Sequence, residues 1–146
     1  MIVYIDSSLL VRSYLVDEAG HDDAVALLDR PDIGLVTGSW SRIEVSGALI
    51  RAARAGRADG KRLVDSLDRD LGVDGRVLVI AGAQEAIEAE ALDIVMAHGI
   101  RAMDAWHLAT AAIVVPGLLE PGESIGFATR DDEQGRVAGL LGFERV

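Results

Sequence analysis

Ile2-Val3-Tyr4-Ile5-Asp6-Ser7-Ser8 is the stretch that decides the fold of this chain. Four consecutive residues, three of them β-branched and one aromatic, leave no polar face. Such a run reads as a strand buried on both sides, as at the centre of a parallel sheet. An acid ends the run and two serines follow. Serine accepts hydrogen bonds from the free amides of a helix start, so the strand is expected to pass directly into a helix reaching about Val16. In open parallel sheets ligands bind beyond the carboxyl ends of the strands, which is where Asp6 would stand.

Working outward, short apolar runs alternate with helical patterns, the signature of an α/β domain with crossover helices. Residues 22–29 read as a helix ended by Pro31, and Ile33–Val36 as a strand. A long helix is expected over Ser39–Ala55 with Gly56 as its stop, then one capped by Asp59 and running through Leu71. Val77–Ile80 reads as a strand and Gln84–His98 as a helix stopped by Gly99. Asp104 opens the next helix, which Pro116 breaks. Pro116–Ser124 reads as a loop, Ile125–Thr129 as a strand, Asp132–Leu141 as a helix and Phe143–Val146 as an edge strand. No repeat or linker divides the chain, so residues 1–146 are expected to form one domain.

Four acids stand out because of where these elements put them. Asp6 ends the first strand, and Asp131 follows Ile125–Thr129 by one residue. Asp104 heads an apolar helix. Glu44 shares a helix face with Trp40, Gly47, Ala48 and Arg51, where an uncompensated carboxylate would be costly. Each has a plain structural reading too: Asp104 and Asp131 as helix caps, Glu44 as a partner of Arg51. Gathered at one sheet edge, however, four carboxylates repel one another unless a hard, oxygen-seeking cation joins them. That combination predicts a Mg²⁺ or Mn²⁺ site and phosphoryl chemistry. Of the histidines, His107 lies one turn after Asp104 and reads as a packed helix residue rather than a ligand.

Composition narrows the alternatives. Half the residues are hydrophobic but only 4% aromatic, so aliphatic side chains build the core. Cysteine is absent, which excludes disulfides and thiolate-held zinc. No apolar run approaches a membrane span, and the N-terminal run lacks the basic flank of a signal peptide, so a cytoplasmic location is expected. A net charge of −10 argues against nucleic acid as a partner. Against it stands a local cluster, Arg51, Arg54, Arg57, Lys61 and Arg62, interrupted by the single acid Asp59. Arg54, Arg57 and Lys61 are therefore candidate phosphate contacts, although exposed charge runs are as often only solvated.

The segments Ile5-Asp6-Ser7-Ser8, Ser41-Arg42-Ile43-Glu44-Val45, Asp104-Ala105-Trp106-His107-Leu108-Ala109 and Thr129-Arg130-Asp131 resemble, in order and spacing, the PIN-domain ribonucleases, and among them the VapC-type toxins of bacterial toxin–antitoxin pairs. The resemblance implies a three-layer α/β/α domain with a central, mainly parallel sheet. It implies a Mg²⁺- or Mn²⁺-dependent endoribonuclease with Asp6, Glu44, Asp104 and Asp131 as its acidic quartet, cleaving RNA with metal-activated water. Ser8 and Thr129 match positions of supporting hydroxyls. The Thr-x-Asp pattern favours Asp131 over its neighbour Asp132. A small antitoxin, a homodimer and an RNA substrate are the partners implied.

Three other readings compete. A receiver-like signalling module also gathers acids around Mg²⁺ but needs a lysine near its last strands, and the only lysine here is Lys61. A dehalogenase-like phosphatase would show a second aspartate two residues after Asp6, where Ser8 stands. A catalytically silent RNA- or protein-binding domain of the same fold would keep the architecture without the chemistry.

Overall fold

In a computed structural model, which describes residues 1–146, the chain folds into a five-stranded, wholly parallel sheet between two layers of helices. The elements in chain order are β1 (Ile2–Ile5), α1 (Ser7–Tyr14), α2 (His21–Leu28), β2 (Gly34–Gly38), α3 (Ser41–Arg54), α4 (Gly60–Asp70), β3 (Leu78–Ile80), α5 (Gln84–His98), α6 (Ala102–Val114), β4 (Ile125–Ala128), α7 (Asp132–Leu140) and β5 (Glu144–Arg145). The sheet order is β3-β2-β1-β4-β5. The first three strands step one way across the sheet and the last two step the other way, so the order reverses beside β1. At such a switch point the crossover helices diverge and leave a crevice at the strand ends.

β1 is central, as its sequence requires: Val3, Tyr4 and Ile5 are wholly buried. Alternation along the strand sends Val3 and Ile5 to one face and Tyr4 to the other. Val3, Ile5 and Leu35 join Leu10, Val45, Leu49 and Leu67 in one core layer beneath α1, α3 and α4. Tyr4, Val36 and Phe127 join Ile94, Leu108 and Val137 in the layer beneath α5, α6 and α7. Tyr4 and Phe127, partners in the β1–β4 register, stack with centroids 5.3 Å apart and planes 6° apart.

The helix starts carry the polar logic of the sheet edge. Asp6 caps α1, its Oδ2 accepting from the Ser8 amide at 3.0 Å. Asp131 caps α7, its Oδ1 accepting from the Glu133 and Gln134 amides at 2.9 Å each. Asp59 caps α4 through the Arg62 amide. Gly99, at φ +69°, ends α5 in the left-handed conformation that a side chain would strain.

Several boundaries differ from the sequence expectation. α6 begins at Ala102, so Asp104 lies within its first turn and is not its cap; Arg101 takes that position without a side-chain bond. α3 begins at Ser41, with Trp40 ahead of it, and α1 ends at Tyr14. The expected loop Pro116–Ser124 starts as a 3-10 turn over Val115–Leu118, because proline fits the first turn of such a helix.

Gly38 makes the β2 end permissive for the site. A Cβ there would meet the Tyr4 hydroxyl at 2.6 Å, whereas a Cβ at Gly34, on the same strand, would make only an ordinary 3.6 Å contact with Ile2. Gly38→Ala is expected to destabilise the fold by about 1–3 kcal/mol through overpacking. Gly34→Ala should be close to neutral. Urea denaturation of the two variants checks the contrast, and equal midpoints would contradict the packing described.

Candidate functional site

The carboxyl ends of β1 and β4 bring three acids to the crevice. Asp6 leaves β1, Asp131 follows β4 through Thr129 and Arg130, and Asp104 reaches in from the first turn of α6. Arg101 ties two of them together. Its Nε donates to Asp104 Oδ2 at 2.7 Å and its Nη2 to Asp131 Oδ2 at 2.6 Å. The guanidinium is 74% exposed while Asp104 is largely covered. Burial pushes the Asp104 carboxyl upward; the Arg101 bond and charge oppose this, Asp131 and Asp6 add to it, and the net displacement is upward. The same contacts hold the Arg101 guanidinium above its ordinary value, led by its bond to Asp104. The exposed cation gains from the pair, whereas the largely covered acid does not recover its hydration.

Glu44 belongs to the same edge but answers to a different partner. Its Oε2 accepts from Ser7 Oγ at 2.7 Å and meets His107 Nε2 at 2.7 Å. His107 is 1% exposed. Its Nε2 also lies 3.5 Å from Asp6 Oδ1 and 3.2 Å from Ser7 Oγ, and its Nδ1 is 2.8 Å from the Tyr4 hydroxyl. Burial resists charge on His107, yet the Glu44 bond and the charges of Asp6, Glu44 and Asp104 outweigh it, and its pKa is raised. On Glu44 burial acts upward, but the bonds from His107 and Ser7 outweigh it and hold the carboxyl below its ordinary range. His107 is thus not a merely packed helix histidine; it is a hydrogen-bonded link between Tyr4 in the core and Glu44 at the edge. Arg51, the expected alternative partner of Glu44, makes no ion pair with it.

Around Asp6 the support is neutral. Thr129 Oγ1 lies 3.4 Å from Asp6 Oδ2 and accepts from the Asp131 amide at 3.1 Å, while donating to Gln134 Oε1. Gln134, wholly buried, donates to the Asp104 carbonyl at 3.2 Å and reaches Asp6 Oδ1 at 3.5 Å. Ser8 Oγ accepts from the Arg130 amide at 3.1 Å and approaches Thr129 Oγ1 at 3.5 Å; it bonds no acid through its side chain. Asp132 is fully exposed, and its ion pair is with Arg145 at 3.9 Å.

The donor set fits a hard divalent cation, because it is built of carboxylate oxygens whose charges already act on one another. As arranged, no three acids or histidines close on one point, since Arg101 spans Asp104 and Asp131 while His107 holds Glu44. Two of the five basic residues of the 51–62 stretch are held by acids. Arg57 forks onto Asp17 at 2.7 and 2.9 Å and reaches Glu18 at 2.6 Å, and Lys61 pairs with Asp65 at 2.9 Å. Arg54 is exposed without an ion pair. Sequence reasoning read Ser7 only as a helix-start residue and missed Arg101 and Gln134 altogether. For His107 the three-residue spacing from Asp104 was a usable signal; for Gln134 nothing in the sequence separated it from a solvated helix residue.

A family model described as the PIN domain matches residues 3–140. No curated protein matches the sequence. Among solved structures, the fold is similar to that of VapBC-1 from nontypeable Haemophilus influenzae, at 16% identity and a TM-score of 0.58 over 100% of this chain and 97% of that one. It is also similar to FitAcB from Neisseria gonorrhoeae, at 20% identity and a TM-score of 0.58 over 99% and 96% of the two chains.

The His107–Glu44 pair makes a pH signature. His107, raised when folded, contributes stability that is full below its ordinary value of 6.5 and is lost as pH climbs through its folded value. Glu44, lowered when folded, contributes stability that is full above its ordinary value of 4.5 and is lost as pH falls through its folded value. In metal-free protein, the melting-temperature advantage of wild type over Glu44→Gln should therefore peak at about pH 5–6 and shrink above neutrality. A difference that stays flat from acid to alkaline pH would contradict the pairing.

Proposed function

Because the chain belongs to the PIN domain family, we propose that it is a metal-dependent endoribonuclease, the toxin of a toxin–antitoxin pair. The single observation that carries this reading is the placement of Asp6, Asp104 and Asp131 at the strand-end crevice, where one guanidinium bridges Asp104 and Asp131. Asp6, Asp104 and Asp131 would hold Mg²⁺ or Mn²⁺, with Glu44 beside them. Bound there, the cation supplies a more acidic water and compensation for charge developing on phosphate.

The chain's own residues do the rest. Gln134 reaches the Asp6 carboxylate from the covered side, and the Thr129 hydroxyl holds the Gln134 amide in place for it. His107 and Ser7 hold Glu44 ionised and fixed in direction, a state suited to a cation ligand at its free oxygen and not to a strong base. Arg101, exposed to solvent, can exchange its carboxylates for substrate phosphate oxygens once those carboxylates are engaged elsewhere.

Likeness of fold to VapBC-1 and FitAcB supports the toxin assignment and a small antitoxin as partner. An acidic crevice that already receives an arginine in cis is suited to receiving one from such a partner. A homodimer, an RNA substrate and action in the cytoplasm belong to the same proposal. No helix is long and apolar enough to cross a membrane.

The test is cleavage of total RNA with and without Mg²⁺, comparing wild type with Asp104→Asn. Wild type should produce new 5′-phosphate ends only with the metal. Asp104→Asn should retain the fold and lose at least about a hundredfold in rate, the scale of a lost electrostatic stabiliser. A folded Asp104→Asn protein that cuts at the wild-type rate would refute the assignment.

A further inference from the structure

Beside the acids, at the ends of β2 and β3, lies a cavity of about 330 Å³ that the chemistry above does not use. Both tryptophans of the chain line it. Trp40 precedes α3 by one turn from Glu44, and Trp106 sits between Asp104 and His107 on α6. Their rings meet edge to face, centroids 6.4 Å apart and planes at 73°, and Trp40 remains 45% exposed. Ile80 and Ile87 make the apolar floor, and Gln84 and Glu88 stand at the rim.

We propose that this cavity receives a nucleobase of the RNA whose backbone crosses the acidic crevice, a proposal that rests on the nuclease reading. Three observations select this occupant. No basic residue lines the cavity, so it suits an uncharged ring and not a phosphate. Indole faces stack bases irrespective of sequence. The position is continuous with the acids: neighbouring strands lie roughly 4.8 Å apart, so a chain passing over β1 and on to β2 and β3 covers only about one to two such spacings. The rim adds a preference. Gln84 Nε2 donates to Glu88 Oε1 at 2.7 Å, which leaves the Gln84 carbonyl and the second Glu88 oxygen as acceptors. Two adjacent acceptors match a donor-rich base edge. Guanine, with its ring N–H beside an amino group, satisfies them, and uracil, with one N–H between two carbonyls, does not.

Because these are the only tryptophans, indole emission reports on this cavity alone. The probe is the pentaribonucleotide UUGUU against UUUUU, with Mg²⁺, in the Asp104→Asn background so that RNA is not consumed; binding is followed independently by anisotropy of labelled RNA. Saturable quenching is expected, tighter for UUGUU. Trp40→Ala and Trp106→Ala should each weaken affinity roughly five- to a hundredfold, the range of one lost base stack. Glu88→Ala and Gln84→Ala, both exposed and safe for the fold, should narrow the gap between the two oligonucleotides. RNA that binds by anisotropy without altering emission overturns the proposal. So does emission that follows protein concentration without RNA, which assigns the cavity to a second copy, or quenching by an arginine-rich peptide but not RNA, which assigns it to a protein partner. Wild-type cleavage of UUGUU is measured alongside: quenching without cleavage removes the nuclease reading and keeps the base site, and cleavage without quenching does the reverse.

Discussion

Carboxylates crowded at one sheet edge are the constraint on which the rest of this structure depends. Asp6, Asp104 and Asp131 share the crevice, with Glu44 beside them, and three devices compensate the four. Backbone amides at the starts of α1 and α7 serve Asp6 and Asp131. The Arg101 fork serves Asp104 and Asp131, and the His107–Ser7 pair serves Glu44. Burial first, and then the charges of Asp131 and Asp6, still leave the Asp104 carboxyl displaced upward against the Arg101 bond. A site that stores like-charge repulsion in this way gains more from a divalent cation than one whose acids are already satisfied.

The fold supplies the place, and the buried polar network supplies the direction. Tyr4 lies on the inner face of the central strand, stacked on Phe127, and its hydroxyl is the far anchor of His107. One imidazole thus joins the central strand to Glu44. Gln134 does the corresponding work on the other side by joining α7 to the Asp104 carbonyl and the Asp6 carboxylate. No buried side-chain polar atom is left without a partner, which keeps such a network rigid instead of costly.

The sheet and the acids were legible because their signals are local. A short apolar run followed by an acid, at Ile2–Asp6 and again, with a threonine, at Ile125–Asp131, marks the strand and the strand end together. The partners were not legible because they depend on approach between elements distant in sequence. Arg101 looked like a loop residue ahead of a helix placed two residues too late, so its fork onto Asp104 and Asp131 was invisible. His107 showed the right spacing but no partner, since Tyr4 and Glu44 lie 103 and 63 residues away. Within the basic stretch, Arg57 meets Asp17 and Glu18, 40 and 39 residues away and invisible to a linear count, whereas Lys61 meets Asp65 one turn on along α4.

Arg101 and a divalent cation compete for the same oxygens, and that competition can be seen directly. A crystal of the protein grown with Mn²⁺, with data collected at a wavelength where manganese scatters anomalously, reads it in one map. The predicted result is an anomalous peak among Asp6, Asp104 and Asp131, with the Arg101 guanidinium withdrawn from both carboxylates. A crevice without such a peak at saturating Mn²⁺, and with Arg101 still bridging Asp104 and Asp131, would contradict the reading of these acids as a cation site.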